Sequence, residues 1–217
     1  MKIPKTTVLD SSPLISCLCP TKNNPEMVQV AVNCFNNQTY KNKELILVTD
    51  EKNPYIKDLE KFTKENIKLF YAPYKTPPSD LRNISVKHAS GKYIATWDDD
   101  DIHHNRRLAS QYKAIVESGK EVCYLTNSII KDTIENIIGL SKYSTCMDCT
   151  MLALKDNFPK YANPWKRNTC GDVLIRKHYS EKDQIIFLEK PHLYIYNIHQ
   201  NNTCKYYHQK NWIDIII

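Results

Sequence analysis

Arginine is scarce in this 217-residue chain: lysine carries almost all of the net charge of +6, and arginine stands only at Arg82, Arg106, Arg107, Arg167 and Arg176. There is no Arg-rich or Gly/Arg-rich tract and no dense basic run, so the usual footprint of a nucleic-acid binder is missing. Glycine is scarcer still, with four residues, and none falls between Pro20 and Pro25. The loop after the first apolar run is therefore no glycine-rich phosphate cradle, which argues against a sugar-phosphate nucleotidyltransferase. No stretch approaches the roughly 20 apolar residues of a membrane-spanning helix. Met1 to Pro20 also holds no apolar run of signal-peptide length before Pro13. The expectation is a soluble, cytoplasmic protein with no membrane span. Cys146 and Cys149 have the spacing of half a zinc knuckle, but no second Cys-x-x-Cys pair follows, and Cys170 and Cys204 stand alone. The eight cysteines are thus expected as reduced, partly buried thiols. Cys17 and Cys19 share one face of an apparent strand at a separation too long for an easy bridge.

What is present is a globular composition, 41% apolar and 25% charged, of a length that suits one domain. Leu14 to Cys19, Leu45 to Val48, Ile67 to Tyr71 and Tyr93 to Trp97 are short apolar runs that read as buried strands. Between them, Met27, Val30, Ala31 and Cys34 recur at helical spacing after Pro25, and Ile56 to Phe62 gives a second helix. Ser79 is the expected N-cap of a helix through Ala89, closed by Gly91. Leu108, Tyr112, Ile115 and Val116 mark a further helix, ended by Gly119. Past residue 122 the pattern shifts to shorter strands near Val122 to Thr126, Thr150 to Leu154 and Leu193 to Ile198. Such alternation predicts an α/β fold, a mostly parallel sheet with helices on both faces, and ligands at the carboxyl ends of its strands. Chemistry is expected in the loops after Cys19, Val48 and Trp97.

Asp98-Asp99-Asp100-Asp101 stands where the last of these strands runs out. Four adjacent carboxylates repel one another, and a cation, shifted protonation or full solvation has to relieve them. In extended backbone Asp98 and Asp100 share a face, so the D-x-D arrangement can address one hard cation, Mn2+ or Mg2+, and leave positions open for phosphate oxygens. The plain alternative is a solvated acidic turn.

With these residues in place the chain resembles the family 2 glycosyltransferases of the GT-A fold, in order from Leu14 to Thr203. The stretch Ile15-Ser16-Cys17-Leu18-Cys19-Pro20-Thr21-Lys22-Asn23 is similar to their first strand and nucleotide-contacting loop. Gln38-Thr39-Tyr40, then Glu44-Leu45-Ile46-Leu47-Val48-Thr49-Asp50, resembles the approach to the second strand and its terminal aspartate. Leu81-Arg82-Asn83 and the run from Ala89-Ser90-Gly91 to Asp101, with Leu108 after it, resemble the most specific part of the pattern. The resemblance implies a single GT-A domain over 1–217: a Rossmann-like three-layer sandwich, with a nucleotide-binding half (14–101) and a small acceptor-binding half (102–217). It implies an inverting transfer of a sugar from a nucleoside diphosphate, UDP favoured, to a hydroxyl of a glycan or glycosylated acceptor. Pro20, Thr21, Asp50, Arg82, Asp98 and Asp99 would bind the nucleotide sugar. Asp98, Asp100 and His199 would hold the metal, and Asp172 would be the general base. A carboxylate facing an imide N–H favours uracil or thymine over cytosine.

Each role has a plainer rival. Thr21 and Asp50 could cap loops, Arg82 could be a solvated helix residue, Asp172 a helix cap and His199 a surface histidine. Tyr161 and Trp165 are candidates to stack on an acceptor sugar, as buried core aromatics are also. Gly171 stands where the resemblance would put an acidic partner for Asp172, Asn105 where proline is common, and Glu51-Lys52 and Ser85 replace glycines. A silent nucleotide-sugar-binding module is the rival of a different class. No long C-terminal extension is present, so processive synthesis is not expected, and a homodimer is left open.

Overall fold

The computed structural model describes residues 12–22, 25–141, 148–162, 171–202 and 212–216. In chain order its strands are β1 (Ile15–Pro20), β2 (Lys43–Asp50), β3 (Ile67–Ala72), β4 (Tyr93–Thr96), β5 (Ile102–His103) and β6 (Val122–Thr126). They continue with β7 (Ile129–Asp132), β8 (Ile137–Ser141), β9 (Leu152–Leu154), β10 (Ile185–Glu189), β11 (Tyr194–Ile198) and β12 (Ile213–Ile216). The helices are α1 (Pro25–Asn36), α2 (Ile56–Glu60), α3 (Pro78–His88), α4 (Arg107–Ser118) and α5 (Gly171–Ser180).

The main sheet has the order β10-β6-β9-β4-β1-β2-β3. Pairing is parallel throughout except for β9, which runs against both β4 and β6. Strand order reverses at β1, which lies between β2 and β4, so the crevice at the carboxyl ends of these strands is the natural ligand site. Buried strands in such a sheet face helices on both sides, which explains their unbroken apolar runs. Cys17, Cys19, Leu45 and Leu47 pack toward α1 and α4, with Val28, Phe35, Leu108 and Ile115. Their neighbours turn the other way: Leu18 packs with Ile175 and Tyr179 of α5, and Ile46 and Val48 pack with Leu81 of α3. The three-layer α/β sandwich expected from the resemblance is present.

Several local expectations change. Helix α1 buries Val28, Ala31, Val32 and Phe35 and leaves Val30 exposed, so its inner stripe is one residue round from the one the spacing suggests. Pro77, in extended conformation, occupies the N-cap of α3, and Ser79 lies buried inside the helix. Gly91 is not a left-handed cap. A Cβ there would sit 2.7 Å from the Leu14 carbonyl and 2.7 Å from Ser16 Oγ, so glycine is required by close approach to β1. At that contact Gly91 N–H donates to Ser16 Oγ (2.8 Å), and Ser16 Oγ donates to Glu44 Oε1 (2.7 Å). Gly119, at φ 68°, does end α4 in the left-handed region.

A second sheet, ordered β12-β8-β7-β11-β5, packs beside the first. Its strand β11 is parallel to β7 and antiparallel to β5, the short strand just beyond the aspartates. That pairing carries the end of β11 and the loop after it to the aspartate cluster. The described cysteines, Cys17, Cys19, Cys34, Cys123 and Cys149, are free thiols. Burial pushes Cys17 and Cys123 up to about 12, which keeps both protonated and unreactive. Cys146, Cys170 and Cys204 lie outside the described residues. No described helix is long and apolar enough to cross a membrane.

Candidate active site

Strand β4 ends at Thr96, and Trp97 anchors the chain just past that end. The indole is fully buried, its Nε1 donates to the Ala31 carbonyl (3.1 Å), and its ring meets Phe35 edge-on. Beyond this anchor Asp98 to Asp101 form a turn rather than continuing the strand. Side chains in a turn do not alternate, so the extended-backbone argument for a shared face does not hold.

Each carboxylate finds its own direction. Asp98 Oδ1 accepts from Arg82 Nη2 on α3 at 3.1 Å. Asp100 Oδ2 lies 3.0 Å from His199 Nε2 and accepts from Asn202 Nδ2 at 3.2 Å. Asp101 is fully buried and accepts from the Tyr194 hydroxyl and from the Asn197 main-chain N–H (2.8 Å). Asn197 Nδ2 also donates to the Asp100 carbonyl at 2.7 Å. Asp99 is 5% exposed within the turn. The expected metal trio is therefore split: Asp100 and His199 stand together, and Asp98 turns to Arg82.

Asp98, Asp101 and Cys149 bring one ligand atom each within 4.8 Å of one another. Burial, reinforced by neighbouring aspartates, holds the Asp101 carboxyl and the Cys149 thiol well above their ordinary values. With Asp101 already bonded to Tyr194 and Asn197, this cluster is a buried structural node and a poor cation site.

Arg82 is the centre of charge. Its Nη1 lies 3.6 Å from Asp172 Oδ1 in the first turn of α5, while Nη2 holds Asp98. Burial alone would lower the guanidinium, but Asp172 and Asp98 outweigh it and the net direction is upward. Asp98 is held above the usual carboxylate range, first by burial and then by Asp100 and Asp172 against the pull of Arg82. The Tyr161 ring lies beneath Arg82, 5.8 Å from the guanidinium carbon, and is 4% exposed in the core. It supports Arg82 and presents no face to a sugar. Trp165 lies outside the described residues.

At the other end of the crevice Pro20 closes β1, and Thr21, 2% exposed, donates its N–H to the Val48 carbonyl at 2.8 Å. The carboxylate of Asp50, at the end of β2, accepts main-chain N–H bonds from Lys52 (2.9 Å) and Lys75 (3.3 Å). These bonds are those of the loop-capping reading of Asp50.

Sequence reasoning missed Asn197, Asn202 and Asp148. The first two follow from β11 lying beside β5, a pairing with no local signal. Asp148 pairs with Arg176 Nε at 3.1 Å, one turn along α5 from Asp172. Burial pushes its carboxyl up to about 6, Arg176 opposing and Asp172 adding to the rise.

Known proteins resemble this chain in sequence and in fold. A glucosyltransferase of Escherichia coli, WfgD, named as UDP-Glc:alpha-D-GlcNAc-diphosphoundecaprenol beta-1,3-glucosyltransferase, is 30% identical over 128 residues, covering 58% of this chain and 49% of its own. Relatives at 30% identity or more are matched over 15% to 49% of their own length, so the chain spans at most about half of them. Among solved structures, Staphylococcus aureus TarS 1–349 in complex with UDP-GlcNAc superposes with a TM-score of 0.67 at 16% identity, over 87% of this chain and 59% of that one. The mannosyltransferase PcManGT from Pyrobaculum calidifontis, in complex with GDP-Man and Mn2+, gives 0.64 at 11% identity, over 88% and 58%. Identities this low establish the fold alone. The model of "Glycosyl transferase family 2" matches residues 16–172, from β1 through the aspartate turn to Asp172, and on that match the chain belongs to the family 2 glycosyltransferases.

Proposed function

We propose that the protein transfers a sugar from a nucleoside-diphosphate sugar, UDP-linked in preference, to an acceptor hydroxyl with inversion at the anomeric carbon. The observation that carries this reading is Arg82 set between Asp98 and Asp172 at 3.1 and 3.6 Å. It joins the aspartate turn, where a donor's diphosphate would lie, to the carboxylate suited to deprotonating an acceptor.

The division of labour follows from position. Asp50, at the end of β2 beside the buried Thr21 that follows β1, borders a nucleobase, and an Asp50 lone pair suits the imide N–H of uracil. Arg82 orients Asp98 and Asp172, besides the nucleotide-sugar contact expected of it. Asp172, its side chain 32% exposed, is open to an acceptor. Its carboxylate takes the hydroxyl proton as the new glycosidic bond forms and the bond to diphosphate breaks from the opposite face.

The donor set fits a divalent cation of the Mn2+ or Mg2+ type. Asp100 offers carboxylate oxygen beside the His199 imidazole, an oxygen and nitrogen pair suited to such ions, while Asn202 donates its amide N–H to that carboxylate and steadies it. Asp98, raised by burial and like charge, is a group that a cation would draw back to its ionised form. A bound cation would neutralise charge on the departing diphosphate.

Calorimetric titration of UDP with Mn2+, repeated with chelator, tests the donor site, and release of UDP from a panel of UDP-sugars tests turnover. Tight metal-dependent binding of UDP is expected. Tighter binding of GDP or CDP would overturn the base assignment, and equal affinity with chelator would overturn the metal.

A further inference from the structure

Arg107, the first residue of α4, is fully buried with its guanidinium between two rings, 5.4 Å from the Trp97 centroid and 5.2 Å from that of Tyr194. A guanidinium at such depth ordinarily pairs with a carboxylate, because desolvating a charge is unfavourable. The partners it bonds are neutral. Nη2 donates to the Thr96 carbonyl at 3.0 Å and reaches the Cys149 carbonyl at 3.4 Å. Nε donates to Gln111 Oε1 at 3.1 Å, and Nη1 meets His103 Nδ1.

Arginine can only donate, so His103 Nδ1 accepts and the ring proton is on Nε2. Nε2 in turn donates to the main-chain carbonyl of Asp98 at 3.1 Å. The imidazole has little freedom, being 2% exposed and stacked on Trp97 at 3.9 Å. One side chain therefore fixes three backbone points around the site: the Asp98 carbonyl through His103, the end of β4, and the short turn of helix at Asp148–Thr150. Hydrophobic packing would fill this space as well, but it would leave the Asp98 carbonyl without that donor.

We propose that Arg107, acting through the Nε2–H tautomer of His103, is a positioning residue that fixes the aspartate turn and thereby aims Asp98 and Asp100 at the donor diphosphate and its cation. The proposal rests on the donor-binding reading above. It is tested in the full chain with His103→Gln, which keeps one amide donor and one oxygen acceptor, against His103→Leu, which keeps bulk and neither. UDP is titrated with Mn2+ at a temperature where circular dichroism shows both variants folded. His103→Leu and Arg107→Lys are expected to weaken binding by about tenfold or more, and His103→Gln by no more than about threefold, as for displaced rather than deleted ligands. Parent-like affinity in His103→Leu overturns the proposal, as does a loss in His103→Gln equal to that in His103→Leu. Nitrogen NMR of the imidazole at neutral pH is the second readout. A protonated Nε2 and bare Nδ1 are expected in the parent and a changed tautomer balance in Arg107→Met, which has no donor; an Nδ1–H tautomer in the parent overturns the brace. If the parent binds no UDP, the donor reading fails while the NMR result still decides the brace, and it decides alone if His103→Leu does not fold.

Discussion

The two flanks of the central sheet are held in different ways. On the β1–β2–β3 flank every residue of β2 is buried, and β1 pairs with β2 over six consecutive positions. On the other flank β9 meets β6 at two positions, and the edge strand β10 leaves Phe187 52% exposed. The first flank gains burial on both faces and is the firm side of the sheet. The second, with the smaller sheet, contributes polar side chains: Asn197 in β11, His199 and Asn202 after it, Asp148 before β9 and Asp172 on α5. The aspartate turn is the seam, with Asp98 tied to α3 and Asp100 and Asp101 tied to β11.

The largest expected effect separates chemistry from donor binding across that seam. Asp172→Asn should lower turnover on the order of 100-fold to 10,000-fold while UDP affinity stays within about twofold, measured by steady-state transfer and by calorimetry. A parallel loss of UDP affinity would break the division. Stability sharpens the same contrast. Leu47→Ala on the buried flank should cost about 3 kcal/mol in urea unfolding, and Phe187→Ala on the edge less than about 1 kcal/mol. Comparable costs would show that the edge is covered in solution.

Asp100→Asn is expected to weaken Mn2+-dependent UDP binding by about tenfold, and Asp99→Asn by less, because only Asp100 stands beside His199 and Asn202 among the described contacts. The smallest effect concerns pH. The Asp148 carboxyl is raised from 3.8 to about 6 in the folded chain, so folded protein binds the proton more tightly than unfolded chain does. Its contribution to stability is fully present below 3.8, declines as pH rises toward about 6, and is flat above. The stability of Asp148→Asn relative to the parent should therefore climb between those limits in unfolding curves taken at a series of pH values. A constant difference would place Asp148 in ordinary solvent.

Legibility in the sequence followed burial on two faces. Leu45 to Val48 reads as a strand and both sides of β2 face helices, whereas Ile185 to Leu188 of β10, an equally apolar run, lies partly exposed at the sheet edge and is absent from the strands expected above. Helix α1 was recognisable, but not its inner stripe, because Val30 and Val32 are alike in chemistry and only the place of Phe35 against Trp97 decides which is buried. Helix α4 hides more. Its buried face includes Arg107 and Gln111, which no hydrophobic template selects. The aspartates, Arg82 and Asp172 were legible as residue types in a family pattern. Their directions were not, since a turn has no period from which to read them, and Asn202 reaches Asp100 across about a hundred residues of chain.

Reversal of β9 sets the route of the whole second half. Because Tyr93 pairs with Leu154 and Ala95 with Leu152, the chain enters β9 at the ligand rim and leaves it at the far side, where Lys155 N–H meets the Lys92 carbonyl at 2.9 Å. A parallel strand would deliver the residues after it to the crevice; β9 delivers those before it, which is how Asp148 comes to the rim. Asp172, in the first turn of α5, stands near Asp148 at the same rim. The two acidic groups are thus neighbours in space and opposite ends of one excursion. Their meeting is set by the direction of one three-residue strand.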